Sequence, residues 1–310
     1  MKYPAPEYKL GKDYDAVAIW TLSKTCNFKC DYCFYSPKQM GITKKLAWKV
    51  IEKFPKINPF QTKFIKPEQA RKFFDNTRKR WKIYLTGGET MIYPRFIELV
   101  KELAKKHLIV IYTNLSLPVN RLIKEINPKN IDFIYASLHL AEREKLGLSV
   151  REFIKKVKKL EKAGFTVMSD FVLYPPLIKK YSKVLKQFKK QNLFIEAKVF
   201  RGVYQGKKYP KSFTKKQRKE FLKYIPHPVD KAYSFKMLSY RGVPCGAGKN
   251  FFRVTPNGKL TRCPDYEFGS LGNLFTGQFK PLEKIKPCGI KYCNCNVAAK
   301  EQVVDFQKRK

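Results

Sequence analysis

Long hydrophobic runs are absent from this sequence. No stretch reaches the roughly eighteen apolar residues that a membrane-spanning helix needs, so we expect no membrane span. Residues Met1 to Asp15 are polar and mixed in charge, which does not fit a secretory signal. We therefore expect a cytoplasmic location, where the eight Cys residues are more readily metal ligands than disulfides.

Acidic side chains are also scarce. The chain has 25 Asp and Glu against 65 Lys and Arg, a formal charge of +40 at pH 7. Such a field concentrates polyanions, whether nucleic acid, an anionic membrane face or a phosphorylated small molecule. The alternative is compositional, because the chain is rich in Phe, Tyr and Ile and much of its Lys can be solvated surface.

Alternating strand and helix patterns run through the first two hundred residues. Apolar strand candidates begin at Ala16, Lys82, Leu108, Ile131, Thr166 and Ile195, with amphipathic helical stretches between them. The predicted helices include 43–54, 94–107 and one that Ser149 and Glu152 open with capping-box spacing. Six such repeats predict an α/β fold whose parallel strands form a partial (β/α)6 barrel.

Three thiols directly follow the first strand. Cys26, Cys30 and Cys33 lie within eight residues, spaced by three and then two residues, and the aromatic Phe34 follows. A cluster of four irons bound by three thiolates keeps one iron open for chemistry. The alternative is a structural zinc knuckle, but its ligands usually come as Cys-x-x-Cys pairs, which this spacing does not match.

This loop resembles that of the radical S-adenosylmethionine (SAM) superfamily. A second motif, Gly87-Gly88-Glu89, lies at the end of the second strand. The resemblance implies that Cys26, Cys30 and Cys33 hold a 4Fe-4S cluster and that Gly87, Gly88 and Glu89 contact the amino end of SAM. Family members usually carry Pro after this Glu, where Thr90 stands here. The implied reaction is reductive SAM cleavage to a 5'-deoxyadenosyl radical, with an electron donor such as flavodoxin or ferredoxin.

Polar residues follow the third and fourth strands. Asn114 and Ser137 stand where ligands bind at the carboxyl ends of parallel strands, and each can equally be a turn residue. By their position in the resembled family, they are candidates to face the ribose or carboxylate of SAM. His139, one of only three His, is either a further pocket residue or a structural one.

Five more thiols lie near the C-terminus. Cys245 and Cys263 flank a predicted β-hairpin around Asn257-Gly258, and Cys288, Cys293 and Cys295 follow. This arrangement resembles the auxiliary-cluster extensions called SPASM and twitch. Five thiols suffice for one further iron-sulfur cluster with one to spare, whereas full SPASM has seven. A zinc ribbon is the alternative, because Cys pairs flanking a hairpin also build zinc ribbons.

These features predict three regions: a radical SAM barrel at 1–200, a basic linker or lid at 201–240 and a twitch-like domain at 241–310. We expect a polyanionic substrate, such as a nucleic acid, nucleotide or nucleotide-sugar. Peptide or protein modification is the enzymatic alternative. A nucleic-acid-binding protein with structural metal sites is the non-enzymatic one, but it leaves the Gly-Gly-Glu motif unexplained.

Overall fold

The structure is a computed structural model that describes residues 13–33, 64–264, 269–293 and 295–309. The predicted helix at 43–54 and Phe34 lie outside the described residues. Secondary structure elements are numbered below in chain order.

Six parallel strands follow one another across the main sheet. They are β1 (Ala16–Ser23), β2 (Trp81–Gly87), β3 (Leu108–Thr113), β4 (Ile131–Ser137), β5 (Val167–Leu173) and β6 (Ile195–Val199). Each pairs in parallel with the next, with register shifts between Thr21 and Ser23 of β1 and between Ile109 and Val110 of β3. The strands are rich in β-branched and aromatic residues and are largely buried, as parallel strands covered on both faces require. The predicted α/β fold with a six-stranded partial barrel is confirmed.

Amphipathic helices connect these strands and cover one face of the sheet. They are α1 (Pro67–Asn76), α2 (Phe96–Leu103), α3 (Asn120–Glu125), α4 (Leu140–Lys145), α5 (Val150–Lys162) and α6 (Ile178–Lys190). The capping box at Ser149 is confirmed: its side chain accepts the N–H of Glu152, whose carboxylate accepts the Ser149 N–H. Short 3-10 turns occupy Thr90–Ile92, Pro128–Asn130 and Pro175–Leu177.

A small antiparallel hairpin follows β6. Its strands are β7 (Gly202–Tyr204) and β8 (Lys207–Tyr209), and the helices α7 (Lys215–Leu222) and α8 (Pro228–Phe235) come next. The hairpin packs beside the carboxyl ends of β5 and β6, because Tyr204 contacts Tyr174 and Tyr209 contacts Phe200.

The C-terminal region extends the barrel sheet. Its elements are β9 (Pro244–Cys245), β10 (Phe251–Val254), β11 (Lys259–Thr261), β12 (Gly272–Asn273), β13 (Gln278–Phe279), β14 (Lys286–Pro287), α9 (Asn296–Lys300) and a 3-10 turn at Phe306–Lys308. The predicted hairpin is confirmed as β10 and β11, with Gly258 at φ +80° in its turn. Strand β10 also pairs in parallel with β1, from Val17 opposite Phe251 to Trp20 opposite Val254. The hairpin therefore continues the barrel sheet, and the boundary at residue 241 stays a prediction.

The sheet has two differently covered faces. The helices bury one face, and C-terminal residues such as Tyr240 and Val304 pack on the other, against Val17, Tyr84 and Phe133. We call this second face the inner face. No helix of the described ranges is both long and apolar enough to cross a bilayer.

Candidate functional site

The three-thiol loop leaves the carboxyl end of β1. Cys30 is buried and Cys26 and Cys33 are half-buried, and all three are free thiols. The Cys33 N–H donates to the Cys30 carbonyl at 3.0 Å, closing a turn, and the Phe28 N–H points at Cys26 Sγ at 3.4 Å. The turn thus keeps Cys30 and Cys33 close together along the backbone, and the Phe28 N–H supplies one donor to the thiol of Cys26.

The electrostatics of this loop disfavour isolated thiolates. Burial raises the pKa of both Cys26 and Cys30, and the neighbouring thiols of the loop raise it further. Thiols in such a place stay protonated in the absence of a metal. A bound metal ion stabilises the thiolate form and so deprotonates a coordinating thiol. The donor set therefore suits an iron-sulfur cluster better than a reactive cysteine.

Within the described ranges, no three His, Cys, Asp or Glu side chains converge on a point where one metal ion could sit. A four-iron cluster has no such requirement, because each thiolate binds a different iron. The finding on single-ion sites therefore does not count against a cluster at the three-thiol loop.

The turn after β2 holds the loop through its backbone. The Gly88 N–H donates to the Ser23 carbonyl at 2.8 Å, and the Glu89 N–H donates to the Thr25 carbonyl at 2.9 Å. A Cβ on Gly88 would lie 1.9 Å from Thr25 O, and one on Gly87, at φ +139°, would lie 2.2 Å from Ser23 O. The glycines thus allow two chain segments to touch immediately before Cys26.

The Glu89 side chain points into the protein. It is 1% exposed, and its carboxylate accepts from the Met91 N–H, the Thr113 hydroxyl and the Asn114 N–H at 3.0, 2.7 and 2.6 Å. Burial raises its pKa, and these donors oppose that rise. The carboxylate therefore fastens the end of β2 to the end of β3.

Asn114 links the end of β3 to the loop. Its amide nitrogen donates to Asn27 Oδ1 at 3.0 Å and lies 3.9 Å from Cys26 Sγ, while its own Oδ1 accepts the Ser116 N–H at 2.8 Å. The structure thus brings Glu89, Asn114 and Cys26 into one group, as their positions at strand ends predict.

Helix α4 and His139, the residue before it, contact the three-thiol loop from the other side. The Glu142 carboxylate accepts the Lys29 N–H at 3.0 Å. His139, in a left-handed conformation at φ 46°, stacks on Tyr32 with its Nδ1 3.1 Å from the Tyr32 hydroxyl. Burial lowers the pKa of His139 to about 4. His139 therefore stands as a neutral partner of the loop.

Ionisable side chains occupy the inner face at β4, β5 and β6. The Ser137 hydroxyl donates to Asp170 Oδ2 at 2.9 Å, and Lys198 Nζ lies 2.7 Å from Glu196 Oε1 and 4.7 Å from the centre of the Tyr135 ring. Burial raises the pKa of Asp170 to about 6, opposed by Lys198 and Ser137. The ammonium of Lys198 is favoured by Glu196, Asp230 and Asp170, which raise its pKa against the effect of burial.

This group can hold a polar substrate and move a proton. Sequence analysis identified Ser137 but missed Asp170, Glu196 and Lys198. Their signal was charged residues at alternate positions of otherwise apolar strands, since such residues share one face.

The five C-terminal thiols line one cavity. Tyr240 and Arg262 complete part of its wall, and the thiols are those of Cys245, Cys263, Cys288, Cys293 and Cys295. Burial raises the pKa of Cys245, and the neighbouring Cys288 adds to the rise. The fold thus gathers residues that are 50 positions apart in the sequence into a single thiol-lined space, which is the donor set that a second cluster needs.

Comparison with known proteins finds a matching family and similar solved structures. Residues 20–182, more than half of the chain, match the model of the Radical SAM superfamily. The structure of native anSMEcpe with bound AdoMet is 17% identical, with a TM-score of 0.57, and the match covers 83% of this chain and 77% of that one.

Two structures of Streptococcus suis SuiB are also similar. The one bound to S-adenosylmethionine is 14% identical with a TM-score of 0.57, over 85% of this chain and 64% of that one. The one bound to precursor peptide SuiA is 13% identical with a TM-score of 0.53, over 81% and 60%. The chain thus spans less than two thirds of SuiB, and these identities show a shared fold. No curated protein matches the sequence.

Proposed function

Because the chain belongs to the radical SAM superfamily and is an enzyme of that class, we propose that Cys26, Cys30 and Cys33 bind its catalytic 4Fe-4S cluster. The observation that carries this assignment is the support of the loop from three sides. The turn at Gly88 and Glu89, the side chain of Asn114 and the carboxylate of Glu142 all hold it. When bound, the cluster supplies an electron that cleaves SAM to methionine and a 5'-deoxyadenosyl radical, which abstracts hydrogen from the substrate.

The SAM assignments change in one respect. The Glu89 carboxylate is occupied by three internal donors, so we propose that it positions Asn114 and that backbone carbonyls of the 87–89 turn meet the amino group of SAM. Asn114 and Ser137 remain candidates for the polar end of SAM. The Ser137 hydroxyl donates to Asp170, one of the ionisable residues of the inner face.

We further propose that the C-terminal thiols bind an auxiliary iron-sulfur cluster. All five border one cavity, so the fold places the four ligands that a cluster needs, and one further thiol, around a single space. A second cluster there could bind substrate or take an electron from a product radical, as an oxidation requires. Zinc is the competing occupant, and metal analysis of anaerobically prepared protein distinguishes the two.

The substrate that we propose carries a polyanionic portion. The exposed lysines of the segment 201–219, which contains no Asp or Glu, support this proposal: Lys207, Lys208, Lys211, Lys215, Lys216 and Lys219. None has a carboxylate of the described ranges within 4.0 Å. This segment includes the β7–β8 hairpin, which contacts Tyr174, and Tyr174 contacts Tyr32 of the three-thiol loop with ring centres 5.0 Å apart. A polyanion bound there would lie beside the cluster.

A peptide with an acidic segment is the second candidate. The inner face favours it, because Asp170, Glu196 and Asp230 surround Lys198 and leave no net positive charge to draw a phosphate inward. In this proposal the acidic part binds the lysines outside and a less charged residue enters the inner face. The structures of SuiB with a precursor peptide and of anSMEcpe with peptides make the same candidate worth testing.

The test is the yield of 5'-deoxyadenosine from SAM by the reconstituted, reduced protein. We expect a yield that Cys26→Ser abolishes. Stimulation by cellular nucleic acid at fixed salt would support the first candidate, and stimulation by acidic peptides alone would support the second. No 5'-deoxyadenosine under any condition, with zinc in the sites, would overturn the cluster assignment.

Two charge-reversal variants test whether nucleic acid binds at the β7–β8 hairpin. Changing Lys207, Lys208, Lys211 and Lys215 to Glu should weaken binding and flatten its salt dependence, because each phosphate contact contributes to the salt slope. The matched control changes Lys179, Lys183, Lys186 and Lys190 of α6, with the same change in net charge. Equal losses in both variants would show that net charge, and not the hairpin, governs binding.

A further inference from the structure

Arg143 of helix α4 is a buried cation with no carboxylate in direct contact among the described residues. Three Lys or Arg residues are buried in the described ranges: Lys82, Arg143 and Lys300. Lys82 lies 2.7 Å from Asp132 and 2.8 Å from Glu301, and Lys300 lies 2.5 Å from Asp230. Among the described residues, no acidic oxygen comes within 4.0 Å of Arg143.

The neighbouring carboxylates have other partners. Glu142 forms an ion pair with Lys145 and accepts the Lys29 N–H. The carboxylate oxygens of Glu89 accept three internal hydrogen bonds. Arg143 itself donates through Nε to the Leu138 carbonyl at 2.7 Å and through Nη2 to the Asn114 carbonyl. Burial lowers its pKa to about 10, so the guanidinium stays charged at neutral pH. The carboxylates of Glu152 and Glu89 act on the guanidinium only from beyond 4.0 Å, where they raise its pKa against the effect of burial.

The guanidinium faces the three-thiol loop. Its central carbon lies 4.7 Å from the centre of the Phe153 ring and 5.9 Å from that of Phe28, which stands between Cys26 and Cys30. Asn114, whose carbonyl accepts from Arg143, has its amide nitrogen 3.9 Å from Cys26 Sγ. One residue therefore separates the guanidinium from the first thiol.

We propose that Arg143 is the counter-charge of the cluster bound by Cys26, Cys30 and Cys33 and that it raises the reduction potential of that cluster. This inference rests on the proposed function. A cluster on three thiolates is an anion, and its reduction adds one more negative charge in a region of low dielectric. A nearby fixed cation stabilises the reduced form more than the oxidised form. Arg143 is thus a positioning and tuning residue that touches neither iron nor substrate.

The experiment is an EPR-monitored redox titration of the reconstituted full chain. It follows the signal that changes when SAM is added, so that a second cluster does not interfere. We compare wild type with Arg143→Gln, Arg143→Lys and the control Lys155→Gln, which removes an exposed charge from helix α5.

Arg143→Gln should lower the equilibrium constant for reduction at least tenfold, a shift of about 59 mV to lower potential for one electron. Arg143→Lys, which keeps the charge, should recover most of that shift, and Lys155→Gln should leave the potential unchanged.

Several outcomes would overturn the proposal. One is an Arg143→Gln potential equal to that of wild type, even if SAM then binds more weakly, since that would make Arg143 a SAM ligand. Another is a lysine variant as low in potential as the glutamine variant. Arg143→Gln could also retain no iron. In that case, an Arg143→Lys variant that binds iron and has the wild-type reduction potential supports the role of the positive charge, and an Arg143→Lys variant that also loses iron refutes it. Failure of wild type to bind iron would instead refute the proposed function.

Discussion

The carboxylate of Glu89 accepts the backbone N–H of Asn114 across 2.6 Å, joining the ends of β2 and β3 behind the three-thiol loop. The same carboxylate accepts from Met91 and Thr113, and the Asn114 side chain reaches Asn27 of the loop. Glu89 thus acts on the loop through Asn114. Its role is to fix the spacing of two strand ends.

Glu89→Gln should therefore impair both stability and activity. An amide group turns a donor toward at least one of the three donors, leaving buried hydrogen-bonding groups unpaired, which costs about 1–3 kcal/mol. We expect urea unfolding to show that loss and the yield of 5'-deoxyadenosine to fall. The control Glu98→Gln removes a surface carboxylate paired with Arg121 and should change stability by less than about 0.5 kcal/mol. A stable but inactive Glu89→Gln would instead indicate direct contact with SAM.

Gly88→Ala tests the contact between the turn and the loop. The added Cβ would meet the Thr25 carbonyl oxygen at 1.9 Å, and that oxygen belongs to backbone that cannot step aside cheaply. We expect the loop to shift and the protein to lose iron after reconstitution, with a destabilisation of about 2 kcal/mol or more. Gly147→Ala is the control: its Cβ meets nothing within 4 Å, and only the left-handed backbone at φ +68° costs about 1 kcal/mol. Equal iron contents in the two variants would contradict the packing argument.

Much of the fold was predictable from the sequence, because it depends on residue types and their spacing. The strand starts, the capping box at Ser149 and the hairpin around Gly258 follow from local patterns. The direction of the Glu89 side chain does not, since the motif names a residue without fixing its rotamer. The parallel pairing of β10 with β1 does not follow from local patterns either. It is accompanied by aromatic packing of Phe252 against Phe74 and Trp81, and Phe74 and Phe252 are 178 residues apart in the sequence.

Asp170 gives a prediction for pH. Its carboxyl is buried, and its pKa of about 6 lies above the ordinary value of 3.8. Below pH 4 the group is protonated in both states; as pH rises through 6, the folded state holds its proton longer than the unfolded state, and stability is lost. The groups that face it are Ser137, Lys198 and Glu196.

Asp170→Asn removes this titration. Relative to the variant, wild type should lose up to about 3 kcal/mol of unfolding free energy between pH 4 and pH 6, at 1.36 kcal/mol per unit of pKa shift. Denaturant titrations at half-unit steps measure the difference. Asp305→Asn corrects for the general effect of removing one carboxylate. A difference that does not change with pH would show that Asp170 titrates normally.

Iron content distinguishes one cluster from two. The three-thiol loop and the C-terminal cavity have separate donor sets, and no described residue belongs to both, so each set should be lost without the other. We expect about eight irons per chain in wild type, from two four-iron clusters. Cys26→Ser with Cys30→Ser should leave about four and abolish 5'-deoxyadenosine formation. Cys245→Ser with Cys288→Ser should also leave about four, but SAM cleavage without substrate should persist. Zinc in place of the second four irons would make the C-terminal site structural, and the barrel cluster alone would then carry all the redox chemistry.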